Sequence, residues 1–220
     1  MTPPAALIFD LDGTLLDTLQ DIAESANRAL DHLRLPTHPA ASYNHFVGDG
    51  VQVLIRRILP DSADDLCHQR CLELFFSFYE EGWHRHCRPY PGILEPLATL
   101  RRAGLKMAIL SNNPPPFTLR FAERFLPADT FFPVYGQRPE VAKKPDPAAA
   151  LAIAAELGEE PDKMFFIGDT PIDIETGKRA GMKTVAVTWG FRPLAELARL
   201  NPDILINHPR ELEAHVLRPS

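Results

Sequence analysis

The sequence lacks any apolar run approaching the ~18 residues that cross a bilayer, so no membrane-spanning segment is expected. It also lacks a basic stretch leading into an apolar one near its start, so no secretory leader is read and a cytoplasmic setting is expected. Cysteine is scarce: Cys67, Cys71 and Cys87 are all there is. An odd number of cysteines without a leader points to reduced thiols and away from a disulfide framework. Cys67 and Cys71 lie one helical turn apart near His68, His84 and His86. That spacing matches no established zinc-ligand pattern, so packed thiols on a helix are expected. Internal repeats and low-complexity tracts are missing too. So is an excess of basic charge: 29 acidic residues against 23 basic ones give a net charge of −6. This disfavours nucleic acid or an anionic membrane surface as partner and leaves a small molecule as the expected ligand. An anionic one would need a local cation to receive it. Nothing in the sequence decides between a monomer and a homodimer.

What is present fits a soluble globule. The chain has 220 residues, 45% of them hydrophobic, enough for one large domain or for a core carrying a smaller insertion. Two textures follow each other. From about Leu15 to Pro89 the pattern is helical throughout. Thr18-Leu19-Gln20-Asp21 reads as a capping-box start, and Ile22, Ala26, Ala29, Leu30 and Leu33 share one helical face. Val51, Leu54, Ile55 and Ile58 mark a short helix, and Ser62 with Asp65 marks another start. Leu72, Phe75, Phe76, Tyr79 and Trp83 form an apolar stripe expected to face a small helical core. From about Pro91 onward, helices alternate with short apolar strands, the mark of a doubly wound, mostly parallel α/β sheet. The strands are expected at Lys106–Leu110, Phe131–Tyr135, Met164–Ile167, Thr184–Val187 and Ile204–Ile206. The apolar run Ala6–Asp10 must join that sheet. The expected organisation is therefore an α/β core of residues 1–14 and 90–220 with an all-helical domain, 15–89, inserted after the first strand.

Polar residues stand just after several of these strands. Asp10 and Asp12 follow the first, spaced so that both side chains leave a strand on the same side. Ser111 follows Lys106–Leu110. Asp169 and Asp173 follow Met164–Ile167, and Lys143-Lys144-Pro145 precedes a helix expected to begin near Pro147. Parallel strands bring such ends to one edge, where open α/β sheets bind ligands. Each piece alone also reads as an ordinary turn or helix cap; the joint order is what points to chemistry. Carboxylates ~4 Å apart repel by about 4 kcal/mol at an effective dielectric near 20. Such a cluster must hold protons or bind a cation, and hard oxygen ligands open to water suit Mg²⁺. The Ser111 hydroxyl and the Lys144 ammonium are then placed to hold phosphoryl oxygens.

On these residues the chain resembles the haloacid dehalogenase-like hydrolases along its whole length. Asp10-Leu11-Asp12-Gly13-Thr14 is similar to the family's first motif, Ser111-Asn112 to the second, Lys144-Pro145 to the third and Gly168-Asp169-Thr170-Pro171-Ile172-Asp173 to the fourth. The resemblance implies Asp10 as a nucleophile that forms an aspartyl-phosphate. It implies Asp12 as the general acid for the leaving group and then the base for water. Ser111 and Lys144 would bind the phosphoryl group, with Thr14 and Asn112 lining the substrate site. Mg²⁺ would be held by the Asp10 carboxylate, the Asp12 carbonyl and Asp169, with Asp173 close by.

Asp17-Thr18, Asp21-Ile22-Ala23, Ala29-Leu30, Leu35-Pro36 and Val47-Gly48-Asp49-Gly50 make the helical stretch similar to the cap of the phosphoglycolate phosphatase group. In that reading the cap closes over the site and Gly48, Asp49 and Gly50 form a loop that meets the substrate. Arg56 or Arg57 would be candidates to meet a substrate carboxylate. Asn113-Pro114 departs from the pattern, standing where many relatives carry a lysine. The expected activity is Mg²⁺-dependent hydrolysis of a small phosphorylated metabolite, foremost 2-phosphoglycolate. The rival readings are a phosphatase or pyrophosphatase for another small phosphate, a phosphosugar mutase, and a non-hydrolytic phospho-aspartate signalling module.

Overall fold

The structure, a computed structural model, describes residues 4–217. The outermost ends of the expected core, residues 1–3 and 218–220, lie outside the described residues. The chain forms two compact units, one of Asp17–Arg88 and one from the flanking segments, up to Leu16 and from Pro89 on. Its strands are β1 (Ala6–Phe9), β2 (Leu16–Asp17), β3 (Arg88–Pro89), β4 (Lys106–Leu110), β5 (Val134–Tyr135), β6 (Met164–Gly168), β7 (Lys183–Val187) and β8 (Ile204–Ile206).

The unit Asp17–Arg88 contains α1 (Leu19–His32), α2 (Tyr43–Phe46), α3 (Val51–Ile58) and α4 (Asp65–Gly82). Helix α1 buries Ile22, Ala26, Ala29 and Leu30 as its periodicity predicts, while Leu33 stays half-buried. Of the expected stripe, Phe75 and Tyr79 of α4 and Trp83 just after it are buried, joined by Cys71 and Leu74, whereas Leu72 and Phe76 are only partly covered. Cys71 is small enough to let α4 pack closely, and burial pushes its thiol up to about 11. The N-cap of α4 is Asp64 instead of Ser62, with its carboxylate accepting from Cys67 N at 2.8 Å.

The capping box expected at Thr18–Asp21 does not form. Thr18 makes no side-chain cap bond, and the Asp21 carboxylate instead accepts from His86 N at 2.9 Å and Cys87 N at 2.9 Å. Asp21 thereby ties the first turn of α1 to the segment that leaves the unit. Burial raises its pKa, and these two N–H groups oppose the rise.

The other unit contains α5 (Leu94–Arg102), α6 (Pro115–Phe125), α7 (Ala148–Leu157), α8 (Pro171–Arg179), α9 (Leu194–Ala198) and α10 (Glu211–Leu217) around a six-stranded sheet of order β5-β4-β1-β6-β7-β8. All its pairings are parallel. Strands β1 and β6 are buried at every residue, as expected where helices cover both faces of a sheet. One core cluster packs Ile8, Ala108, Leu110 and Phe166 against Ala150, Ile153 and Ala154 of α7. The alanines of that helix let it lie close to the sheet. The expected strand Phe131–Tyr135 is shortened to Val134–Tyr135, because Pro133 has no N–H to give a ladder. Helices α9 and α10 were not anticipated; each is too short to show a helical period.

This order positions the site. From β1 the chain reaches β4 on one side and, later, β6 on the other, so the direction of winding reverses beside β1. Phe9 is level with Ile109 of β4 and Ile167 of β6. The segments after those three residues therefore emerge together from the carboxyl edge of the sheet.

Replacing Asp21 with alanine leaves two backbone N–H groups without their acceptor. We expect a loss of about 2 kcal/mol, read as a lowered urea midpoint, while Asp21→Asn recovers part of it.

Candidate active site

Asp10, directly after β1, is 6% exposed, and its N–H donates to Ile167 O of β6 at 2.9 Å. Asp169, directly after β6, is completely buried, and Asp173 lies in the first turn of α8 with 1% exposure. Carboxylate oxygens from these three acids lie within 4.8 Å of one another. Among the described residues, one buried cation answers them. The Lys144 ammonium, 3% exposed, donates to Asp10 Oδ1 at 2.7 Å and to Asp173 Oδ1 at 2.7 Å. Lys143 beside it remains partly exposed. Burial works to lower the Lys144 pKa, but the attractions of Asp10 and Asp173 outweigh it and hold the ammonium charged.

For Asp10 and Asp169, burial prevails over the attraction of the lysine. Burial, then the charge of Asp173, raises the Asp10 pKa well above the usual carboxylate range, and Lys144 only partly offsets this. Burial and Asp173 likewise push Asp169 up to about 7, against the lowering effect of the Phe191 N–H and the Thr14 hydroxyl. Three buried carboxylates with one ammonium make a site short of positive charge. Its donors are all oxygen, open to a hard divalent cation and unsuited to a soft one. Mg²⁺ fits this donor set.

Each acid is held in a fixed direction. Asp169 Oδ1 accepts from Thr14 Oγ1 at 2.8 Å and Oδ2 from Phe191 N at 2.7 Å. Thr14 is fixed in turn by its carbonyl, which accepts from Trp189 Nε1 at 3.0 Å. The close approach needs glycines. A Cβ on Gly13, whose φ is +89°, would lie 2.3 Å from Asp169 Oδ2, and one on Gly190 would lie 2.3 Å from Gly13 O. Asp173 Oδ2 accepts from Thr170 N at 3.1 Å and Thr170 Oγ1 at 2.7 Å, a capping box that starts α8.

Asp12 belongs to a neighbouring set. Its Oδ2 accepts from Ser111 Oγ at 3.2 Å and from Asn113 Nδ2 at 2.8 Å. Among the described residues, the cluster of Asp10, Asp169 and Asp173 does not include it, although its charge adds to the rise of the Asp10 pKa.

Two residues expected to line the substrate site have other partners. Thr14 is fully buried and serves Asp169, as above. Asn112 brackets the Lys144 backbone, accepting from Lys144 N at 3.0 Å and donating to Lys144 O at 3.2 Å. It fixes the lysine that reaches Asp10. In the helical unit, Asp49 forms a 2.6 Å ion pair with Arg57, and Arg57 also donates to Phe46 O at 3.1 Å. Gly48 and Gly50, flanking Asp49, both have positive φ. Sequence reasoning missed Asn113 as a partner of Asp12, and it missed the Trp189-Gly190-Phe191 segment. The first had a signal in its departure from the expected lysine. The second acts largely through a backbone N–H and has none.

The chain matches known proteins along most of its length. The haloacid dehalogenase-like hydrolase family matches residues 7–187. A phosphoglycolate phosphatase of Pseudomonas putida is 33% identical over 216 residues, covering 96% of this chain and 79% of its own. One from Aquifex aeolicus is 33% identical over 206 residues, covering 94% and 93%. Among solved structures, one described as "a predicted phosphoglycolate phosphatase" from Haemophilus somnus superposes with a TM-score of 0.90 at 26% identity, covering 96% of this chain and 97% of that one.

The raised acids set a sign for stability. A carboxyl whose folded pKa lies above its unfolded value favours the fold when protonated. That contribution is complete below the unfolded pKa and fades as pH rises through about 7 for Asp169. In EDTA the melting temperature should therefore fall between about pH 5 and about pH 8. Millimolar Mg²⁺ should raise it more at the higher pH, where the acids are ionised. An equal Mg²⁺ shift at both ends would contradict the assignment of these acids as its ligands.

Proposed function

Because the chain belongs to the haloacid dehalogenase-like hydrolases, we propose that it is a Mg²⁺-dependent phosphomonoesterase that hydrolyses 2-phosphoglycolate through an aspartyl-phosphate. The observation that carries this reading is the meeting of Asp10, Lys144, Asp169 and Asp173 beside the Asp12–Ser111 pair, all at one sheet edge. The choice of phosphoglycolate is supported by the names of the relatives that match nearly the whole chain.

The residues divide the work by their surroundings. Asp10 attacks phosphorus, forming an O–P bond as the ester O–P bond breaks. Asp12 gives its proton to the departing alkoxide, which leaves as an alcohol. Water then attacks the aspartyl-phosphate, giving its proton to Asp12 and releasing inorganic phosphate. Lys144 orients the Asp10 carboxylate and balances charge on the phosphoryl oxygens, and Ser111 donates to one of them. The Asp10 and Asp169 carboxylates and the Asp12 carbonyl would hold Mg²⁺, which supplies positive charge to the phosphoryl oxygens. Asp173 anchors Lys144. The helical unit acts as a cap that selects the leaving group. The substrate is a small phosphorylated metabolite, and a cytoplasmic setting belongs to the same reading. Among the described residues no helix is long and apolar enough to cross a membrane.

A phosphate-release screen with Mg²⁺ over 2-phosphoglycolate, sugar phosphates and pyrophosphate tests the substrate; phosphoglycolate should show the highest kcat/KM. Asp10→Asn should lower turnover by more than about a thousandfold and keep the wild-type circular dichroism. Residual activity of a few per cent would remove the nucleophile assignment. Dependence on a sugar bisphosphate, without accumulation of inorganic phosphate, would favour a mutase.

A further inference from the structure

Asp12, Ser111 and Asn113 form a closed ring of hydrogen bonds. Ser111 Oγ donates to Asp12 Oδ2 at 3.2 Å, Asn113 Nδ2 donates to that same oxygen at 2.8 Å, and Asn113 N donates to Ser111 Oγ at 3.1 Å. A serine hydroxyl has a single hydrogen. It can serve Asp12 or a phosphoryl oxygen, but not both at once. When a phosphoryl group takes it, the Asn113 amide still holds Asp12. Asn112 is instead turned toward the Lys144 backbone, which both ends of its amide engage.

Asn113 is built to stay in place. Its carbonyl accepts from Gln137 N at 2.8 Å, and the Thr118 hydroxyl lies 3.2 Å from both this carbonyl and that of Pro114. Gly136 packs so closely that an added Cβ would lie 2.7 Å from Asn113 O. The N-terminal turn of α6 and the strand-end segment after β5 thus clamp the backbone that carries the amide.

We propose that Asn113 is a positioning residue for Asp12: its amide fixes the carboxyl group that protonates the leaving alkoxide while Ser111 turns to the phosphoryl group. This rests on the phosphomonoesterase reading. It predicts an effect confined to esters whose leaving group needs a proton.

The test measures kcat with Mg²⁺ for 2-phosphoglycolate and for p-nitrophenyl phosphate, whose leaving group departs without protonation. Asn113→Ala should lower kcat at least about tenfold on the alkyl ester and less than about threefold on the aryl ester. Asn113→Leu, which keeps about the same volume and loses the donor without adding a charge beside Asp12, should repeat that selectivity, so the outcome does not depend on how alanine is tolerated. Melting temperatures report folding for both variants. Equal losses on the two esters, or an alkyl-ester kcat at the wild-type level in both variants, would overturn the assignment while leaving the phosphatase reading intact. A wild-type protein that releases phosphate from neither ester would overturn both.

Discussion

Charge repulsion at one sheet edge is the constraint around which the catalytic unit is arranged. Asp10, Asp169 and Asp173 are buried together, and the Lys144 ammonium stands among them. Coulomb energies of about 4 kcal/mol per pair at ~4 Å are large against the marginal stability of a domain. The placement of Lys144 is correspondingly over-determined. Its ammonium bridges two acids, its backbone is bracketed by Asn112, and Asp173 is immobilised by the turn it caps. Removing any of these supports leaves charge exposed to charge.

Much of this was legible because parallel strands buried on both faces read as plain apolar runs. Leu7-Ile8-Phe9, Met107-Ala108-Ile109-Leu110 and Met164-Phe165-Phe166-Ile167 stand out, and the polar residues that end them mark the edge. Family resemblance carried the roles of those residues, which spacing alone could not. What stayed hidden has a common physical cause. The acceptor role of Asp21 depends on two backbone N–H groups 65 and 66 residues away, so its position beside Thr18 looked like a local cap. The inward face of α4 turned on Cys71, a small residue that a search for aromatics passes over. The Phe191 N–H that fixes Asp169 is a backbone group and leaves no mark in residue identity.

Asp173 also shows that two readings of one motif need not compete. Thr170 and Asp173 form a capping box, the bland interpretation of that stretch, and the same carboxylate anchors the buried lysine. One oxygen serves the helix and the other serves the site. The adjacent amides Asn112 and Asn113 divide duties in a similar way. One fixes the cation by its backbone and the other reaches the acid after β1.

The parallel sheet puts its first strand in the middle. Strand β1 pairs with β4, where Ala6 meets Lys106, and with β6, where Ala6 meets Met164. A ribosome delivers residues in order, so this strand emerges long before either neighbour exists. The helical unit, by contrast, is one unbroken stretch, Asp17–Arg88, and its partners are all at hand once that stretch is synthesised. During biosynthesis the insertion can therefore condense first, while the amino-terminal strand waits for β4 and gains a neighbour on its other side only when β6 arrives.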